Sequence, residues 1–355
     1  MKILHVIYSF NTGGAETMLV DIINQQCKTE PVNLLIVNDK FNRSLLETID
    51  KRVEVFLIDR KEGNKLHLFS AFWKTNALLR KIRPDVIHCH DGNLFPFFAK
   101  WRKKTCLTVH NVNLSALFFK YFEKVFSISS SVREDVKKRT GIDAETVYNG
   151  IEVENYLPRT DYNFLPEKEP FKIILVSRLF PAQKGQYIAV EALRLLSAQY
   201  PNINLQLVFV GTGEALEMLR NSVAQKNVEK YVVFHGQADR LWIKENLKNF
   251  HLLIQPSLYE GFGLTVVEGF AAGLPVIASD VDGPKEILSV LKAGLRVEVG
   301  NPRDLADKIY QIYTAYVSGN LLNHNYVITD KTNLRMFDIH ATAFRYLALY
   351  RKFSL

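Results

Sequence analysis

The sequence is poor in cysteine, has no long apolar run and has no low-complexity tract, and each lack removes a class of answer. Its 355 residues contain three cysteines, Cys27, Cys89 and Cys106. They are odd in number and lack metal-ligand spacing, which argues against a disulfide framework and fits a reducing cytosol. No apolar run reaches the ~18–20 residues that cross a bilayer. The longest candidate, Leu264 to Ala278, is interrupted by Glu268 and two glycines. At the N-terminus Lys2 precedes an apolar stretch of only six residues before Ser9, too short for a signal peptide. Apolar residues make up 47% and charged residues 23%, a balance that excludes disorder and collagen and permits a sizeable core. The expectation is a soluble cytoplasmic protein of two or three domains.

The net charge is +8 and unevenly spread: residues 1–160 hold 24 basic and 18 acidic side chains, so most of the excess lies there. That points to an anionic partner for the first half. Phe95-Pro-Phe-Phe-Ala-Lys100-Trp101-Arg102-Lys103-Lys104, followed by Leu117-Phe-Phe-Lys120-Tyr121-Phe122-Glu-Lys124, mixes cations with aromatics. Such residues can seat a protein peripherally on the anionic cytoplasmic face of a membrane, or form a helix and strand with a solvated basic edge. No RNP, helix-turn-helix or finger motif appears, so nucleic acid is not an expected partner.

Short Val/Ile/Leu-rich runs alternate with helical patterns along the whole chain. Lys2–Tyr8, Asn33–Val37, Val53–Leu57, Asp85–Cys89, Thr105–Val109 and Val125–Ile128 read as strands buried on both faces, as parallel strands between helices should be. Ala15–Gln26, Leu66–Ile82 and Ser130–Arg139 carry helical spacing. Residues 157–170, with Pro158, Pro166 and Pro170 among polar residues, read as a linker. The alternation then restarts and runs from Lys172 to Val317. The fold class is therefore α/β: two Rossmann-like, doubly wound parallel-sheet domains facing across a cleft, 1–160 and 161–336. Residues 337–355 read as an amphipathic helix packing back on the first domain.

In such sheets ligands bind beyond the carboxyl ends of the strands, where helix N-termini present free N–H groups. Three loops carry suitable residues. Ser9-Phe-Asn-Thr-Gly13-Gly14-Ala-Glu16 follows the first strand and lets a ligand approach backbone, or merely turns the chain into a helix. Arg178 sits just past a strand and Lys184 just before a helix, two cations suited to a diphosphate or a solvated rim. Most specific is Glu260-Gly261-Phe262-Gly263-Leu264-Thr265 leading to Glu268, two carboxylates with seven residues between them. Glu260 can accept hydrogen bonds from a polyol, and the glycines bare a helix N-terminus. Glu268 lies in an apolar helix, pointing the same way or held in a buried structural ion pair.

Together these residues resemble the GT-B nucleotide-sugar glycosyltransferases, more narrowly the retaining family 4, group 1 enzymes. The resemblance covers nearly the whole chain. It rests on Gly13-Gly14-Ala15-Glu16, Asp85-Val86-Ile87-His88-Cys89-His90, Thr108-Val109-His110-Asn111, Tyr148-Asn149-Gly150-Ile151, Ser177-Arg178-Leu179 with Lys184-Gly185, Val210-Gly211-Thr212-Gly213-Glu214, and the Glu260–Glu268 segment. It implies a UDP- or GDP-sugar donor held mostly by the second, donor-binding domain, with the first domain on the acceptor side. Glu260 would bind sugar hydroxyls and Glu268 the ribose. Arg178 and Lys184 would hold the diphosphate. Backbone at Gly261, Phe262, Gly263, Leu264 and Thr265 would hold sugar or phosphate, Gly14 would approach the diphosphate, and His110 would lie near the reacting centre. Catalytic roles fall on His110, Arg178, Lys184 and Glu260.

The expected reaction is retaining transfer of a sugar to an acceptor hydroxyl, a sugar or a lipid-linked sugar, in surface polysaccharide or glycolipid biosynthesis. A GT-B sugar-nucleotide epimerase and a non-catalytic nucleotide-sugar or lipid-binding module are the alternatives. No cofactor or catalytic metal is expected. Asp280-Val281-Asp282 spells a DxD but reads as a loop turn, and His88 with His90 shows no third ligand nearby in sequence.

Overall fold

Strands with aliphatic residues on both faces need a cover on both faces, and the chain provides it with helices. The structure, a computed structural model, describes residues 1–11, 13–61, 63 and 65–353. It divides into two units: Met1–Ile151 with Met336–Leu355, and Glu152–Arg335.

The first unit holds a seven-stranded sheet ordered β3-β2-β1-β4-β5-β6-β7. The strands are β1 (Ile3–Ile7), β2 (Val32–Asn38), β3 (Glu54–Arg60), β4 (Val86–Cys89), β5 (Thr105–Val109), β6 (Lys124–Ser127) and β7 (Glu145–Thr146). Every pairing is parallel. The central strands β1, β2, β4 and β5 are buried at every position, whereas the edge strand β3 is exposed at Glu54, Val55, Leu57 and Asp59. The second unit repeats the plan with six strands ordered β10-β9-β8-β11-β12-β13. These are β8 (Phe171–Val176), β9 (Leu205–Val210), β10 (Val232–Gly236), β11 (Leu252–Gln255), β12 (Val276–Ser279) and β13 (Leu295–Val297). In each sheet the order reverses beside the first strand, between β1 and β4 and between β8 and β11. Two loops diverge there, and an open α/β sheet has its natural binding crevice at that place.

The division falls at Ile151, not at residue 160. Residues 157–170 are also no free linker. Leu157 and Arg159 donate backbone N–H groups to Lys244 and Ala272, the Tyr162 hydroxyl donates to the Gly273 carbonyl at 2.8 Å, and Phe164 sits in the second unit's core. Aromatic burial of this kind, roughly 1.5–3 kcal/mol per large side chain, outweighs the loop-like polar composition around it.

The C-terminal helix Ile339–Phe353 belongs to the first unit. Its Tyr346 and Tyr350 are fully buried, and their hydroxyls meet Thr108 and His88. Thr342 Oγ1 donates to the Tyr148 carbonyl at 2.8 Å. A Cβ on Gly150 would lie 2.6 Å from the Asp338 backbone, so the Tyr148-Asn149-Gly150 motif serves as the seat of this helix.

Candidate functional site

Strand order makes the site in the second unit. β8 and β11 pair directly, with Ile173 and Ile174 opposite Leu252 and Leu253. The loops that follow them, 177–185 and 256–263, therefore run side by side. Gly185, at φ +67°, is the crossing point: a Cβ there would stand 1.9 Å from the Pro256 carbonyl oxygen. The Leu258 N–H donates to the Gln183 carbonyl at 2.7 Å and ties the two loops together. A third loop packs on the first, where a Cβ on Gly211 would meet the Ser177 carbonyl at 2.0 Å. Inside, fully buried Gln186 donates to Ser177 Oγ at 2.9 Å and to the Arg178 carbonyl at 3.0 Å.

On this frame Lys184 and Glu260 form an ion pair, with side chains only 20% and 16% exposed. Gln255, at the end of β11, donates to the same Glu260 oxygen, Oε2, at 3.1 Å. Among the described residues both bonds fall on Oε2, so Oε1 keeps its lone pairs for a ligand hydroxyl. The Lys184 ammonium spends one N–H on Glu260 and keeps two more for an anion. Gln255 Oε1 in turn accepts from Thr265 Oγ1 at 3.1 Å, which orients the amide.

Thr265 lies in the first turn of the helix Leu264–Ala271, whose N-cap is Gly263 at φ +96° with no side-chain cap. Its first N–H groups thus lack the usual oxygen acceptor, and the helix dipole adds positive potential there. Gly261, Phe262 and Gly263 are buried, while Leu264 and Thr265 stay partly open. Glu268 is half-buried and accepts from the Tyr156 hydroxyl at 2.8 Å, so it is held by a partner separate from those of Glu260. Arg178 is exposed, with its guanidinium 5.3 Å from the centre of the Phe180 ring.

Gly14 and His110 lie in the first unit. Gly14 opens the helix Gly14–Gln26 behind an N-cap that has no capping side chain, and a Cβ there would meet no atom within 4 Å. His110 follows β5 and leads into a row of histidines. His110 Nε2 lies 3.0 Å from His90 Nδ1, His90 Nε2 lies 3.1 Å from His5 Nδ1, and His5 Nε2 lies 2.8 Å from Gln26 Oε1. His88 bonds to Tyr350 and, at 2.7 Å, to Thr108. Burial disfavours the charged rings: His5 and His110 fall to about 4, and His88 and His90 sit well below the ordinary histidine value.

One family model, described as glycosyl transferases group 1, matches residues 160–323, and another, described as glycosyltransferase family 4, matches residues 12–155. The chain belongs to the family 4, group 1 glycosyltransferases. This glycosyltransferase is 25% identical to a lipopolysaccharide 1,6-galactosyltransferase of Salmonella typhimurium over 353 residues, covering 92% of each chain. It is 29% identical over 199 residues to an uncharacterised glycosyltransferase of Methanocaldococcus jannaschii, covering 55% of this chain and about half, 52%, of that protein. Among solved structures, HepE of Anabaena in complex with UDP and glucose aligns with a TM-score of 0.81 at 19% identity, covering 99% of this chain and 100% of that one. That likeness is one of fold.

The glycosyltransferase thus brings Lys184, Glu260, Gly261, Phe262, Gly263, Leu264 and Thr265 together at the carboxyl ends of β8 and β11 in its second unit. Arg178 and Glu268 are carried by the same loop and helix but engage other neighbours. Sequence reasoning missed Gln255, Gln186 and Tyr156. Only Gln255 left a trace, as a polar residue ending an apolar strand.

One reading needs correction. His88 and His90 do have a third histidine beside them: His5 on β1, opposite His88 in register, and nitrogens of the three lie within 4.8 Å of one another. In the aromatic-basic stretch Phe95, Phe97, Phe98, Phe119 and Phe122 are buried and anchor it to the first unit. The cations Lys100, Arg102, Lys103, Lys120 and Lys124 are exposed, together with Pro96, Ala99, Leu117, Tyr121 and Glu123. The Asp280 carboxylate lies 3.3 Å from Lys285 and 3.6 Å from Arg296, and Asp282 begins the helix Asp282–Leu291.

Proposed function

We propose that this glycosyltransferase moves a sugar from a nucleoside diphosphate sugar to an acceptor hydroxyl with retention of anomeric configuration. The observation that carries the reading is the Lys184–Glu260 pair. It offers spare ammonium N–H groups and a free carboxylate oxygen side by side, next to an uncapped helix N-terminus. A diphosphate needs the first, a sugar hydroxyl the second.

In the reaction the bond from the anomeric carbon to the β-phosphate oxygen breaks and its electron pair stays on the diphosphate. Negative charge grows on that leaving group while the sugar becomes oxocarbenium-like. Lys184, Arg178 and the N–H groups at Gly263–Thr265 are arranged to bind the growing charge more strongly than the ground state. The acceptor oxygen bonds to the same face of the anomeric carbon and its proton passes to a leaving-group phosphate oxygen. This chemistry asks for no cofactor and no metal, because cationic side chains and a helix dipole supply the positive potential. Glu260 holds a sugar hydroxyl, Glu268 the ribose, Gly14 lets the diphosphate approach backbone, and His110 faces the sugar near the reacting centre.

The donor is read as a UDP- or GDP-sugar and the acceptor as a sugar or lipid-linked sugar. The Salmonella relative, named as a lipopolysaccharide 1,6-galactosyltransferase, and the UDP bound to the Anabaena structure support that class. Contact with an anionic membrane surface on the cytoplasmic side is favoured by the basic rim around Lys100–Lys104. The adjoining helix Lys65–Ile82 adds exposed Phe69 and Trp73, 74% and 69% accessible. Among the described residues no helix is long and apolar enough to cross a membrane.

A thermal-shift screen over nucleoside diphosphates and their sugars, followed by product analysis with and without acceptors, tests the proposal. One selective diphosphate and an acceptor-dependent product of unchanged anomeric configuration are expected. Conversion of the donor alone to an epimer, or binding with no product across a broad acceptor panel, would overturn it.

A further inference from the structure

The histidine row in the first unit has a direction. A neutral imidazole carries one N–H and one lone pair, so each ring in a chain of N···N bonds must donate at one nitrogen and accept at the other. His5, His90 and His110 are all held neutral by burial. At the closed end Gln26 Oε1 can only accept, so His5 Nε2 must donate to it and His5 Nδ1 must accept. His90 Nε2 then donates to His5 Nδ1, and His110 Nε2 donates to His90 Nδ1. The row therefore ends in a lone pair on His110 Nδ1, an atom that is buried and has no hydrogen-bond partner among the described residues. An ion held by His5, His88 and His90 would need ring nitrogens that these bonds and those of His88 to Tyr350 and Thr108 already occupy.

We propose that Gln26, His5 and His90 are positioning residues that lock His110 in the Nε2–H tautomer, so that its Nδ1 is a fixed acceptor for a hydroxyl of the bound sugar. The locking stands on the hydrogen-bond geometry of the row and the burial that keeps its rings neutral; its consequence for turnover rests on the placement of His110 near the sugar proposed above. An acceptor locked in this way excludes ligands that present no hydroxyl donor at that point. Left unmet, the buried lone pair carries a desolvation cost. The row thereby lets a residue deep in the fold, Gln26 on the first helix, govern which hydrogen-bonding sense is offered at the far end.

The tautomers are read directly by long-range 1H–15N correlation spectra of the full-length protein labelled with 15N-histidine. Protons on Nε2 and bare Nδ1 atoms at His5, His90 and His110 are expected. A proton on His110 Nδ1 would overturn the proposal, because it would mean that the Gln26 amide is reversed and every ring with it. Kinetics give a second arm. His90→Leu removes the acceptor that orders His110, whereas His90→Gln supplies an acceptor on one side and a donor on the other. His90→Leu should lower kcat/KM by about tenfold, the worth of one lost hydrogen bond to a buried group, and His90→Gln should recover most of it. UDP-induced thermal stabilisation, which involves no sugar, should match wild type in both. Equal losses in the two variants would also overturn the positioning role. If the wild type transferred no sugar at all, the functional reading would fall while the spectra still decided the tautomer.

Discussion

Gly185→Ala probes the crossing on which the site in the second unit depends. Gly185 has φ +67°, a conformation that costs an L-residue about 1–2 kcal/mol, and its Cβ would stand 1.9 Å from the Pro256 oxygen. That oxygen is backbone, so no rotamer change relieves the overlap, and forced insertion into packed structure costs about 1–3 kcal/mol more. The sum is about 2–5 kcal/mol, a large part of the stability of a typical domain. Gly319→Ala is the control: φ is +69° but no atom lies within 4 Å, so only the conformational cost applies. At ~2–4 °C per kcal/mol for a domain of this size, Gly185→Ala should melt roughly 2–12 °C below Gly319→Ala. Because relief of the overlap must push loop 177–185 away from loop 256–263, the Lys184–Glu260 pair should open and UDP-dependent stabilisation should shrink. Thermal unfolding of both variants with and without UDP reads the two effects. Coincident melting temperatures and an undiminished UDP shift would refute the argument that the two loops are locked at this glycine.

Lys184→Ala should weaken donor binding and also lower kcat/KM by about 10²–10³-fold, since the ammonium meets more charge in the transition state than in the ground state. Steady-state kinetics over donor concentration check this, and a change in KM with kcat intact would contradict a role in departure of the diphosphate. The buried His5 ring predicts a pH effect on stability. Its folded value of about 4 lies below the ordinary 6.5, so below pH 6.5 the unfolded chain binds more protons and stability falls as pH drops toward 4. This ring alone should cost about 2 kcal/mol at pH 5 relative to neutral pH. Urea midpoints between pH 7 and 5 should therefore fall less steeply for His5→Gln than for wild type, and parallel curves would count against the buried neutral ring.

Much of the architecture was written into local pattern. A parallel strand between two layers of helix must be apolar on both sides, so β1, β2, β4, β5, β8, β9 and β11 could be read from short aliphatic runs. The loops after them were then the places to look for ligand-binding residues. The two shortest strands escaped notice, because Glu145–Thr146 and Leu295–Val297 are too brief to carry a period. Residues 157–170 misled because prolines and charges outnumber the aromatics, although Tyr162 and Phe164 are what anchor the segment.

The order of the strands had no local signature. Which strand lies beside which is decided by how crossover helices pack, and that packing sets β11 against β8 and β4 against β1. The first choice joins Lys184 to Glu260 across 76 residues, and Gln255 at the end of β11 bonds the same carboxylate. The second turns His5, an unremarked polar residue in an apolar strand, into the inner link of a row ending at His110. Residue types and their loops were determined along the chain by alternation of polarity. Which of them share a proton or a charge was decided only in three dimensions, because a hydrogen bond depends on ångströms between atoms and not on their separation in sequence.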